Sequence, residues 1–201
     1  MSAFGGRIGF SGNLNAKKIS PKKIPVWLWK LTNLPHVWRG WWRFVVADAL
    51  RLAYFKGELR AKVLRSDGSV EDLGLLSLRV VTTAWVTAMA TLMFDGSGPA
   101  ATAYDYHDSG VGTTAENVSN TDIETTDGEA RVSGTASNPA AGQYRNVGTI
   151  AYTTTKAITE HGLFSALTGG TLLDRSVFSA INVVNGDSIQ FTYTLTFSAG
   201  G

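Results

Sequence analysis

Cysteine is absent from the 201 residues. This removes disulfides, thiolate metal sites and a cysteine nucleophile together. A cysteine-free chain is indifferent to redox state, so its compartment stays open. Charge is sparse, at 17% of residues against a typical ~25%. Residues 1–10 are glycine-rich and lack the apolar run of a cleavable signal peptide. The most apolar stretch, residues 38–55, is interrupted by Arg39, Arg43, Asp48 and Arg51. A spanning helix needs about 20 largely uncharged residues, so no transmembrane span is expected. A helix lying in a membrane interface stays a minor option. Catalytic signatures are missing too. There is no Gly-x-Ser-x-Gly elbow and no P-loop. Gly110-Val111-Gly112 supplies only the first half of a dinucleotide fingerprint, with no helix after it.

The length suffices for one domain with a real core plus an appendage. Glycine is abundant, at 22 residues, and Ser and Thr crowd the second half. With alternating apolar residues, this composition points to strands and turns rather than helices. The net charge of +2 hides a division. Residues 1–65 hold 13 Lys and Arg against two acids, whereas residues 66–201 hold five against 14. A basic end beside an acidic remainder implies a partner for the basic end.

Residues 1–26 read as an extended arm, with Lys17-Lys18 and Lys22-Lys23 and with Pro21 and Pro25. Five of the six tryptophans follow within 16 residues: Trp27, Trp29, Trp38, Trp41 and Trp42. Trp27 and Trp29 alternate with Leu28 and Lys30, an extended pattern. From residue 38 the period becomes helical. Trp38, Trp41, Trp42, Val45, Val46, Ala49 and Leu52 share one face, and Gly57 suits the stop. A hairpin follows, 58–65 and 70–75, around Asp67-Gly68. Residues 77–82 read as a strand, 83–94 as a short helix and 102–106 as a strand. Residues 109–127 are polar and irregular. Strands are expected at 144–153, 157–165, 171–184 and 188–197. In the last, Ile189, Phe191, Tyr193, Leu195 and Phe197 alternate strictly with polar residues, which puts five apolar side chains on one buried face. The expected fold is mainly β: a β-sandwich or jelly roll over 58–201, preceded by a basic, Trp-rich arm and an amphipathic helix over 1–57.

Two clusters invite chemistry: Tyr104-Asp105-Tyr106-His107-Asp108, and Glu160-His161. His and carboxylate serve metals or acid–base catalysis. On one strand, however, Asp105 and His107 share a face while Asp108 points away. No ligand spacing is recognisable, so hydrogen-bonded histidines near turns are the preferred reading. No catalytic residue, metal or cofactor is expected. For the tryptophans and the neighbouring Arg39 and Arg43, a subunit contact is preferred, because Trp and Arg are enriched at interface hot spots. Packing on the chain's own core comes next, and single-stranded nucleic acid or a membrane surface comes last.

From Leu73 onward several segments carry a resemblance: Val80-Val81-Thr82-Thr83-Ala84, residues 106–116, Thr159-Glu160-His161-Gly162-Leu163-Phe164, residues 173–178 and Asn185-Gly186-Asp187-Ser188. Together they resemble a widespread family of tailed-bacteriophage proteins regarded as virion structural components. The similarity is weaker over residues 47–52. The resemblance implies a capsid cement or decoration protein on the capsid surface. Its partners would be the major capsid protein and copies of itself, a trimer being one arrangement. Lys17, Lys18, Lys22 and Lys23 would engage acidic shell surface, and the five tryptophans would bury apolar area between copies. Two other readings stay open. A tail, neck or fibre component would bind a host receptor through residues 109–126. An enzyme would need Asp105 and Glu160 to converge in one cleft.

Overall fold

The alternation at the C-terminal end organises the molecule. In the computed structural model, which describes residues 24–79, 81–97 and 103–199, Ile189, Phe191, Tyr193 and Leu195 are fully buried. They lie on the last strand, at the centre of a five-stranded antiparallel sheet. In chain order the elements are α1 (Val26–Ala49), β1 (Tyr54–Leu64), β2 (Val70–Arg79), α2 (Thr83–Asp95), β3 (Tyr106–Gly110), β4 (Val132–Ser133), β5 (Thr135–Ser137), β6 (Gln143–Ala151), β7 (Lys156–Phe164), β8 (Leu172–Val183) and β9 (Ser188–Ser198). One sheet runs β2-β1-β9-β6-β5 and the other β4-β3-β7-β8. Their inner faces form the core of a β-sandwich: Leu59, Ala61 and Val63 with the β9 residues on one side, Ile158, Leu163, Phe178 and Ile181 on the other.

Phe197 departs from the expected inward row. It lies partly exposed at the strand end, against Phe55 and Trp85. The hairpin around Asp67-Gly68 forms as expected, but β2 absorbs the strand placed at 77–82. Two register shifts against β1 keep β2 continuous and let both Leu73 and Leu76 face the core. The strand expected at 102–106 begins only at Tyr106 and takes in Ser109 and Gly110. Its inward residues, His107 and Ser109, are polar, so apolar alternation gave no signal there.

The largest correction concerns residues 27–30, which are not extended. α1 is a single helix that passes through Pro35, and the helix expected from residue 38 is the second half of the same element. Its buried stripe is Trp29, Asn33, Gly40 and Phe44, a helical spacing hidden by an amide and a glycine. Gly57 is not its stop. The helix ends in a Schellman motif, with Leu52 N–H bonded to Ala47 C=O, Arg51 N–H bonded to Asp48 C=O, and Arg51 itself left-handed at φ 53°. Gly57 lies instead in β1, where a Cβ would come within 2.6 Å of the Tyr193 hydroxyl.

α1 covers the flank where β2 and β8, the edges of the two sheets, face one another. Asn33 Nδ2 donates to Leu76 O on β2 at 2.8 Å, and Asn33 Oδ1 accepts from Ser179 N on β8 at 3.0 Å. Trp29 Nε1 donates to Ala180 O at 3.0 Å. At Gly40 a Cβ would overlap the Leu78 carbonyl, so only glycine lets the helix lie this close. One amide thus pairs backbone groups of both edges that would otherwise be orphaned. Asn33→Ala should destabilise the fold by about 2–4 kcal/mol, because it strands a buried donor and a buried acceptor together. Urea unfolding measures it, and a loss within ~0.5 kcal/mol of zero would deny Asn33 this role.

Candidate functional site

Because α1 turns Trp29, Asn33, Gly40 and Phe44 inward, its other aromatic residues face solvent. Trp38, Trp41 and Trp42 are 58%, 41% and 51% exposed, and Trp27 is exposed as well. The first three form a cluster, with ring centroids 5.3 Å apart for Trp38–Trp41, 4.9 Å for Trp41–Trp42 and 5.6 Å for Trp38–Trp42. The exposed apolar positions Trp27, Leu31, Leu34, Trp38, Trp41 and Val45 are spaced alternately by four and three residues. That is the spacing of a helix–helix seam, sustained over about 27 Å of helix at 1.5 Å per residue. Trp29, grouped by sequence with the partner-binding tryptophans, is only 5% exposed and packs in this chain's own core. Arg39 and Arg43 lie exposed on the same helix. Lys17, Lys18, Lys22 and Lys23 fall outside the described residues.

The two polar clusters do different work. Glu160 lies on the outward face of β7 yet is fully buried, because residues 111–127 fold over it. Its Oε1 accepts from Gly112 N (2.9 Å) and Thr125 N (2.8 Å), and its Oε2 from Glu124 N (3.0 Å) and Arg175 Nε (2.7 Å). Arg175 in turn reaches Glu124 and the carbonyl of Thr114. Gly110 and Gly112 are glycine because a Cβ at either would run into the Glu160 carboxylate. The half-fingerprint is therefore a close approach to a buried acid. Farther along the same face, Arg131 stacks over the Phe164 ring and bonds Asp108 at 2.8 Å.

His107 and His161 point into the sandwich and are fully buried, His107 at the second position of β3 and His161 in the middle of β7. Asn146 Oδ1 can only accept, so His107 Nε2–H donates to it at 2.7 Å. His107 Nδ1 is then the acceptor for His161 Nε2–H at 2.9 Å. Asn146 Nδ2 donates to the Tyr144 hydroxyl, which donates to Tyr104 C=O. All donors run one way along this chain, and His161 Nδ1 is left without a partner. Glycines at 134 and 148 make room for the His107 ring. Among the described residues no group of three or more His, Asp or Glu is placed to hold a metal. Neither the cleft beside Trp29, Arg65 and Asp187 nor the one beside Arg39, Arg43 and Arg79 is lined by Asp105 or Glu160. No protein-family model, curated protein or solved structure matches the chain.

Burial sets the proton affinities. It lowers His107 to about 4, with the Asn146 bond opposing, and holds His161 well below its ordinary 6.5, helped by His107. Burial raises Asp174 to about 6 against Ser176 and Arg79. The unfolded histidines take up protons at higher pH than the folded ones, so their contribution is lost as pH falls below 6.5. His107 alone withdraws up to roughly 3 kcal/mol by pH 4. Asp174 acts oppositely, since its folded form holds its proton up to about pH 6. Urea midpoints should therefore fall from pH 7 to pH 4.5, and fall more steeply in Asp174→Asn. A flat profile would contradict neutral buried histidines. Glu160→Ala removes the acceptor of Arg175 and of three N–H groups, and should cost about 3–5 kcal/mol. Hydrogen exchange should show residues 111–127 losing protection first; retained protection would mean other contacts hold that segment.

Proposed function

We propose that this chain is a non-enzymatic structural subunit of a tailed-bacteriophage virion and assembles through the outward face of α1. The supporting observation is the exposed seam from Trp27 to Val45, spaced by fours and threes. Large contiguous apolar patches on a monomer mark interaction sites. Here each position repeats where a second helix of the same kind would place its own knobs. The occupant proposed is therefore α1 of another copy, as in a ring or trimer. Burial of these rings contributes about 25 cal/mol per Å² before the costs of association, and repetition over a symmetric shell adds avidity.

The virion setting rests on the resemblance carried by residues 73–188. Within it, a capsid cement or decoration protein that touches the major capsid protein on the outer surface remains the preferred role. The alternative, a tail, neck or fibre component that binds a receptor through residues 109–126, draws less support. That segment is tied back to Glu160 and Arg175, which suits a scaffold better than a free recognition tip.

Leu34→Lys/Trp38→Lys/Trp41→Lys places charge along the seam without touching the buried stripe. Sedimentation should show the wild type as an oligomer at micromolar concentration. The triple variant should be a monomer with unchanged circular dichroism, an affinity loss of at least about 100-fold. In purified virions the variant should be missing. A wild-type chain that stays monomeric to 100 µM (on the order of the loosest specific contacts) would defeat self-association. A variant that enters virions normally would defeat the use of this face.

A further inference from the structure

α1 covers the flank between β2 and β8 only from Val26 onward. Before its first turn a cleft of about 510 Å³ opens between the same two edges. The floor of this cleft is apolar. Val63, Leu73, Ile181 and Val183 line it, and all four belong to the core of the sandwich. Trp29 and Ile24 line the end nearest the helix. Ile24, through which the chain enters α1, stays 45% exposed beside this apolar surface.

The polar lining does not suit a small polar ligand, because its strongest donor is already committed. Arg65 Nε and Nη2 donate to the Glu71 carboxylate at 3.1 and 2.7 Å. Arg65 Nη1 donates to Asp187 Oδ2 and to Asn182 O, each at 2.8 Å. Lys156 donates to Glu129, outside the cleft, at 2.6 Å. Three carboxylates, of Asp67, Glu71 and Asp187, therefore stand against one arginine and one lysine that is bound elsewhere. An apolar floor with an acidic rim suits an apolar side chain flanked by cations.

Residues 1–23, which lie outside the described residues, supply that pattern in sequence. They hold five basic residues and no acid, and Ile19 sits between the pairs Lys17-Lys18 and Lys22-Lys23. From Ile24 back to Ile19 the reach is about 17 Å when fully extended, so the segment starts at the cleft and need not cross the molecule. We infer that this cleft seats the chain's own N-terminal segment, with Ile19 on the apolar floor and the lysines against the acidic rim. The seat completes the closure of the flank that α1 begins. It is independent of the outward face of α1 and of the virion setting. The four lysines then have an acidic partner within the chain, in place of the shell surface that the resemblance implies.

The chain has no native cysteine, so disulfide trapping in the full chain is a direct test. Ile19→Cys/Ala180→Cys puts one thiol on the segment and one on the cleft wall. Ile19→Cys/Leu28→Cys is the control, since Leu28 is exposed on α1, four residues from Ile24 and off the cleft. A tethered but unseated segment reaches both positions alike. A seated one should close the Ala180 pair, as a cyclised monomer, at least about tenfold faster. Circular dichroism checks that both variants are folded. Carbodiimide coupling of the unsubstituted chain gives a second measurement. Mass spectrometry should find the lysines of residues 17–23 joined to Asp67 or Glu71, both halves carrying the same label in a mixture of heavy and light chains. Equal closure of the two cysteine pairs, or no coupling to the rim, would overturn the seat. Disulfide-linked dimers in place of cyclised monomers would overturn it as well, and would give the cleft to the segment of a second copy.

Discussion

The seam between β2 and β8 is the constraint on which the rest depends. Two sheets that face one another leave two edges on this flank, and an edge strand carries unpaired N–H and C=O groups. α1 answers both edges with a single amide, Asn33, and adds the Trp29 indole on β8. Gly40 supplies the closeness this requires. Once these residues must face inward, helical geometry fixes everything else on α1. Trp38, Trp41 and Trp42 are forced outward on one side, and Arg39 and Arg43 are brought against Arg79 on another. The assembly face and the arginine cleft are both by-products of how one seam is sealed.

The second sheet is organised by polar groups on both faces, which is unusual for a sandwich. Outside, Glu160 gathers three backbone N–H groups and Arg175, so a long segment with little regular structure gains a fixed path. Inside, the histidine, asparagine and tyrosine chain runs from β7 through β3 to β6. Buried polar groups cost several kcal/mol when unmatched, and here most are matched by a named partner. His161 Nδ1, Asp174 Oδ1, Ser77 Oγ and the hydroxyls of Tyr104 and Tyr193 are among the exceptions. Such a network specifies one register between the sheets more sharply than apolar contact does, since a shift of one residue would unpair several groups at once.

Much of the fold was legible along the chain. β6, β7, β8 and β9 begin and end within two residues of the ranges that alternation and turn residues imply. Asp67-Gly68 marks the first hairpin, and α2 forms where the short helix at 83–94 is expected, with Thr82 and Gly96 as its caps. Where the inward residue is polar, the pattern fell silent: His107 and Ser109 hid β3, and Asn33 with Gly40 hid the first half of α1. The candidate site was legible as composition, in the crowding of Trp and Arg over residues 27–43. Its orientation was not. The apolar stripe that reads as core from spacing alone is the one left in solvent, and Trp29 had to be separated from its neighbours by its β8 contacts.

The sequence by itself determined the local periods: which segments alternate by two, which repeat by three and four, and where turns break them. Those depend only on the geometry of adjacent residues. Tertiary structure alone decided which side of α1 meets the sandwich, and that Glu160 and Arg175 would hold residues 111–127. Both choices are made by unpaired backbone groups and charges brought together from distant parts of the chain. A hydrogen-bond partner 146 residues away, as Ser179 is for Asn33, leaves no trace in local spacing.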